Sequence, residues 1–466
     1  MQRLPPKPTL VILTVGFLAL APRAIPALQP YRVFDWEMAN AVVEFRPRKD
    51  PSATADDWKR PFHPDAPGAH LRGGWKNGVY ELDETGGALN HFYESLSRTE
   101  AGLSGALTRI VHYGDSPTTA DMITGDAREA LQNKYGDAGK GFCLIAKPWA
   151  WYDHRGIDMD GKGWRMDPST ASHIRDGMFG LGGVSFLSDG GASSRFKWKG
   201  TGPSSVEVAF LKLPSGGGFT VSSGDTLLGE VKTAAAESAP GFETFDISPE
   251  ARDLELRATG GPVRLFGVTF DRPGPGVSYD SIGLNGAYVT ILARFFNEAH
   301  WASELQHRKP DLVIVNYGTN ESAYTTYVDK QYGKELKEIV RRLRAALPDS
   351  SILLMSPMDR GARQPGGIIG TMPNIPRIVA MQQTVANADG CAFFNTYEAM
   401  GGDGTMGRWY EGEPRLVGAD FIHPMPAGAK IVGNLLYQAL LDGYHRYQVR
   451  QAQELMRKKL AAATKP

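Results

Sequence analysis

The chain has 466 residues, well beyond the roughly 250–300 at which a single hydrophobic core stops growing, so at least two domains are expected. Lys plus Arg and Asp plus Glu number 51 each; with no net field to draw in a polyanion or an acidic membrane, nucleic acid is not an expected partner. The 54 glycines, 31 prolines and 10% aromatic content suit a globular protein rich in turns rather than a helical bundle, and two cysteines, Cys143 and Cys391, supply no disulfide framework, although one bridge between them stays open.

A basic start with Arg3 and Lys7 precedes an apolar run over residues 9–21 and small residues up to Ala27. This is the composition of a secretory signal, too short for an ordinary bilayer span, and it predicts a protein of the periplasm or the outside of the cell. The same stretch retained as an N-terminal anchor is the competing reading of 1–27. Residues 28–85, rich in Pro, Gly, Arg and Asp without sustained periodicity, are expected to form an irregular extension.

The chain then spells a helix near 89–96 and a strand from Leu107 to Tyr113, closed by Gly114-Asp115-Ser116. A second helix follows from about Asp121 to Gly136, completing a strand, turn and helix. Between about 150 and 276 the texture changes to short alternating runs separated by turn clusters, such as 205–210, 219–221, 254–257 and 263–268, which predicts a β-sandwich. Helices return near 286–296, 332–347, 375–388 and 427–441, alternating with apolar strands at 311–317, 351–355 and 392–396. Alternation of that kind predicts a parallel sheet covered on both faces. The expected order is a first half of an α/β domain at 86–150, a sandwich inserted at 151–275, a second half at 276–445 and a helical tail at 446–466.

Ligands of open α/β sheets bind outside the carboxyl ends of the strands, so the polar residues there are the ones to weigh. A serine hydroxyl needs a base within hydrogen-bond reach to become a nucleophile. His423, in Asp420-Phe-Ile-His423-Pro, suits that role, and Asp420 three residues earlier suits fixing the imidazole tautomer and stabilising its charged form. An attacked carbonyl develops an oxyanion, for which the backbone N–H of Ser116, a backbone N–H at Gly286 and the side-chain amide of Asn320, in Gly318-Thr-Asn320-Glu321, are the candidate donors. Taken singly, Gly-Asp-Ser is a common turn, Gly-Thr-Asn an ordinary loop and Asp-x-x-His a helix cap; their joint order beside strand ends carries the reading.

These four motifs resemble the SGNH or GDSL hydrolases: Ser116 matches the first, Gly286 the second, Asn320 the third and Asp420 with His423 the last. The surroundings, Val111-His-Tyr-Gly-Asp-Ser116-Pro-Thr-Thr and Gly276-Val-Ser-Tyr-Asp280-Ser-Ile-Gly-Leu-Asn-Gly286, are similar to the peptidoglycan O-acetylesterase-like branch, in which a carbohydrate-binding-type β module is inserted after the first motif. Pro117 replaces the family's Leu, and Glu321 stands where Asp is commonest. The resemblance implies a three-layer α/β/α, flavodoxin-like fold with an inserted β-sandwich, and an esterase that removes O-acetyl groups from peptidoglycan or another polysaccharide. It implies no cofactor and no metal. An O-acetyltransferase with the same triad, a glycan-binding envelope protein with an inactive hydrolase domain, and a lipase remain as alternatives.

Trp149, Trp151, Trp164 and Trp198 form either a sugar-stacking platform or core of the sandwich. His112 and His173 are expected to be structural, and the cationic helix around 334–344 to be a solvated face.

Overall fold

The computed structural model describes residues 74–84 and 86–463. The expected leader at 1–27 and most of the extension lie outside them. Five parallel strands form the central sheet: β1 (Leu107–Gly114), β2 (Gly276–Gly283), β3 (Leu312–Asn316), β4 (Ser351–Met355) and β5 (Ala392–Phe394). Their order across the sheet is β2-β1-β3-β4-β5, the order of flavodoxin-like folds.

Side chains of these strands alternate between two helical layers, as the period of two requires. Val111, Tyr113, Val313, Val315, Ile352 and Leu354 join one buried cluster, whereas Ile110, Leu312, Ile314, Leu353 and Met355 join the other. The first face is covered by α3 (Glu298–Arg308), α4 (Gly333–Ala346) and α5 (Asn374–Ala388), which contribute Trp301, Leu336, Ile339 and Ile378. The second is covered by α1 (Asn90–Glu100), α2 (Ile123–Tyr135) and α6 (Pro426–Ala463), with Phe92, Leu131, Val432 and Leu436. The last helix and the expected tail are thus one continuous element. No described helix is long and apolar enough to cross a membrane.

The sandwich consists of one five-stranded and one six-stranded antiparallel sheet. Its core is continuous with the first cluster of the α/β domain, through residues such as Phe186, Phe196, Leu254 and Phe270. Strand Gly139–Leu144, placed by the sequence with the α/β half, pairs antiparallel with sandwich strand Val263–Asp271. A buried ion cluster joins the two domains. Arg308, in the last turn of α3, donates to Asp271 of the sandwich and Asp280 of β2, at 2.6 Å each, and to Ser278 at 2.7 Å; Asp280 also accepts the Phe142 N–H at 2.8 Å.

That cluster explains why β2 reads poorly from sequence. Ser278 and Asp280 interrupt its apolar pattern, yet both are fully buried, because Arg308 supplies the partners that a buried carboxylate needs. The helix expected from Gly286 through Phe296 is shorter and irregular: it begins past the turn at Gly286, widens into a π-type turn over Ile291–Phe295, and stops at Phe296, whose ψ is 130°. Asn297 then caps α3 with its side chain on the His300 N–H. Trp164 and Trp198 are buried core residues whose indole N–H groups donate to Ser194 and Ala251. Trp149 is partly buried, and Trp151 alone of the four is well exposed. Cys143 and Cys391 are both free and buried.

Candidate active site

Strand ends β1, β2 and β3 finish level with one another, Gly114 lying opposite Gly283 on one side and Asn316 on the other. After β1 the chain turns at once into the short helix Ser116–Thr119, so Ser116 sits at its first position. Close approach is possible because β2 ends in glycine: a Cβ on Gly283 would fall 2.3 Å from the Thr119 backbone nitrogen. Neighbouring Asp115 is fully buried, and burial raises its carboxyl to about 6 against the opposing hydrogen bonds from Thr319.

His423 arrives from a loop that bonds to itself. Gly418 donates its N–H to the His423 carbonyl at 2.9 Å, and Val417 and Pro424 form an isolated bridge. Phe421 takes a positive φ of 59°, and its carbonyl accepts the Gly361 N–H, which anchors the loop beyond β4. Asp420 Oδ1 accepts the backbone N–H groups of Ile422 and His423 at 3.0 and 3.1 Å, and its Oδ2 lies 2.6 Å from His423 Nδ1. His423 Nε2 in turn lies 2.8 Å from Ser116 Oγ.

The electrostatics follow from this chain of bonds. The Asp420 hydrogen bond raises the His423 pKa above its ordinary 6.5, outweighing burial. Burial would raise Asp420, but the bonds from His423 and from two backbone N–H groups prevail and hold it at about 2. Asp420 is therefore charged, and an imidazole resting on Ser116 becomes a stronger base. Both side chains are about half exposed, leaving the serine end open to solvent.

Gly286 and Asn320 meet at the neighbouring strand ends. Asn320 donates one side-chain N–H to the Ala287 carbonyl at 2.9 Å; an amide carries two such donors, so its second remains for a ligand. Gly286 has a φ of 70° and open space where a Cβ would stand. Glu321, a departure from the commonest motif, is fully buried, accepts the Val289 N–H at 2.8 Å, and is raised by burial to about 8. It braces the Gly286 turn as a neutral acid.

Sequence reasoning missed Arg360, which donates to the Thr319 carbonyl at 2.7 Å and so steadies the residue before Asn320. The only available signal was its place, beside Asp359, five residues past the predicted strand end at Met355. His112 is structural, buried with Nδ1 2.7 Å from Tyr279 Oη and depressed by burial to about 3. His173 is exposed. The cationic helix α4 is only partly a solvated face: Arg342 donates to the carbonyls of Leu292 and Phe296, while Arg341 pairs with Glu298 and Glu338.

The open parallel sheet thus carries a serine, histidine and aspartate linked at its carboxyl edge, in the order nucleophile, base and carboxylate partner. Residues 254–431 match the family model of the GDSL-like lipases/acylhydrolases, a stretch that holds Gly286, Asn320, Asp420 and His423 while Ser116 lies upstream. Over that stretch the chain is similar to the SGNH/GDSL hydrolases. Among solved structures it is similar to a peptidoglycan O-acetylesterase, with a TM-score of 0.66 and 23% identity over 78% of this chain and 99% of that one. A family two carbohydrate esterase from Clostridium thermocellum, solved with cellohexaose, gives a TM-score of 0.28 and 14% identity over 60% of this chain and 100% of that one. A carbohydrate acetylesterase from Sinorhizobium meliloti gives 0.28 and 16%, over 36% and 80%. No curated protein matches the sequence.

Proposed function

We propose that this protein hydrolyses O-acetyl esters of a cell-envelope or extracellular glycan through an acetyl-Ser116 intermediate. The observation that supports this reading is the unbroken hydrogen-bonded chain Ser116–His423–Asp420 at the sheet's carboxyl edge. Ser116 Oγ attacks the acetyl carbonyl carbon as His423 Nε2 takes its proton, and Asp420 stabilises the imidazolium. The oxyanion is received by the N–H groups of Ser116 and Gly286 and by the free amide N–H of Asn320. Collapse expels the sugar oxygen, which takes the proton back from His423. Water, activated by the same imidazole, then releases acetate and regenerates Ser116. No cofactor enters either half of this scheme.

Half-exposed Asp420 and His423 leave the acyl group within reach of water, which favours hydrolysis over transfer to a second sugar. The small acetyl group and the glycan scaffold are taken from the resemblance to O-acetylesterases, and the sandwich, as an inserted module, suits holding a polymer near the site. Export to the envelope completes the proposal.

The test is acetate release from 4-nitrophenyl acetate, O-acetylated peptidoglycan, acetylated xylan and exopolysaccharide, with fatty-acyl esters alongside. Wild-type protein is expected to release acetate from at least one glycan, and the Ser116→Ala and His423→Ala variants from none. Wild-type-like turnover by Ser116→Ala overturns the nucleophile; a preference for long acyl chains overturns the glycan.

A further inference from the structure

Beside the Gly286 turn lies an open, shallow recess of about 520 Å³ lined by residues that include Tyr288, Tyr324, Tyr327, Lys330 and Gln331. It adjoins the proposed oxyanion site through the chain itself. Tyr288 is two residues beyond Gly286, and the intervening Ala287 carbonyl is held by Asn320. Tyr324 follows Glu321, whose carbonyl accepts the Tyr324 N–H at 2.9 Å and whose side chain holds the Val289 N–H. Both loops that carry the oxyanion donors therefore also carry the recess's aromatic lining.

The three rings stand at angles rather than stacked on one another. Tyr288 is inclined 50° to Tyr324 and 79° to Tyr327, with centroids 6.1 and 6.3 Å away. Tyr327 is fixed in place: its hydroxyl bonds Glu335 at 2.5 Å and Thr290 at 2.9 Å, and Glu335 is itself paired with Arg294. Tyr324 is 55% exposed, a large aromatic side chain open to solvent. An aromatic corner on the two loops that carry the proposed oxyanion donors, with Tyr327 held in place, offers contact area at little conformational cost.

An acetyl group is too small to fill such a space, which leaves room for the remainder of a substrate. Resting on the glycan reading above, we infer that the Tyr288–Tyr324–Tyr327 corner is a subsite for the pyranose ring adjacent to the acetylated sugar. Pyranoses present a face of C–H groups that packs on aromatic rings, and their equatorial hydroxyls reach outward to groups such as Lys330 and Gln331. Tyrosines, rather than the aliphatic side chains that suit a fatty acyl tail, line the recess.

The experiment measures kcat/KM for acetylated xylo-oligosaccharides and for acetylated peptidoglycan fragments, each relative to 4-nitrophenyl acetate in the same preparation. Tyr324→Ala is expected to lower that ratio about tenfold, the worth of one aromatic stacking contact, and Tyr324→Phe to keep it within about twofold. A ratio unchanged in Tyr324→Ala overturns the subsite alone. Wild-type protein that cleaves the aryl ester but neither glycan overturns the glycan reading and the subsite with it. A Tyr324→Ala defect that grows with acyl length, from acetate to octanoate esters, assigns the recess to acyl chains and overturns the inference.

Discussion

His423 Nε2 lies 2.8 Å from Ser116 Oγ across 307 residues of sequence, and the far side of the same imidazole is held by Asp420. Because Asp420 raises the His423 pKa above 6.5 and only neutral imidazole accepts the serine proton, activity should rise with pH through a midpoint above 6.5. Asp420→Asn removes the charge that favours imidazolium, so the midpoint should move down while kcat falls by about 10²–10⁴-fold. A pH–rate profile of the two proteins on an aryl acetate decides it; an unmoved midpoint means that Asp420 does not govern the base.

Asn320 acts, in the proposed scheme, only on charge that develops at the carbonyl. Asn320→Ala should lower kcat about 10²–10³-fold with little change in KM. A change confined to KM would assign the residue to ground-state binding instead.

Glu321 offers a test through stability. Its folded pKa near 8 against an ordinary 4.5 means that between those values the folded chain keeps a proton that the unfolded chain releases. Stability is then lost as pH rises across that window. Glu321→Gln keeps an acceptor for the Val289 N–H and has no proton to lose, so thermal unfolding from pH 5 to 8 should decline less steeply in the variant. Parallel curves would show that Glu321 is not held neutral. Glu304, also raised to about 8 by burial, keeps its own contribution in both proteins.

Arg308 is the domain weld. Arg308→Ala leaves Asp280, fully buried, with the Phe142 N–H as its one remaining bond from the sandwich, and should cost about 3–5 kcal/mol of unfolding free energy in urea. A loss below about 1 kcal/mol would mean that the two domains are held by their shared apolar core alone.

The motifs at strand ends were legible because their chemistry demands particular residues: Ser116, Asp420 and His423 are named by type and order before any contact is known. Apolar strands such as β3 and β4 were equally plain, since strands buried on both faces read as unbroken Val, Ile and Leu. What escaped was set by partners far away in sequence. β2 hides behind Ser278 and Asp280 until Arg308 is placed, and strand Gly139–Leu144 is recognised only by its pairing with Val263–Asp271. The aromatic corner was invisible for a similar reason. Tyr288 and Tyr324 belong to different loops, and no period or spacing connects them.

The 307 residues between nucleophile and base also set an order in time. At about 5–20 residues per second a ribosome needs roughly 15–60 s to travel from Ser116 to His423. Throughout that interval the nascent chain holds a strand end with a serine that nothing can deprotonate. On the proposed mechanism, ester cleavage becomes available only when the loop before α6 has been made and closed against the first strand, so a chain that stops short of His423 is chemically silent.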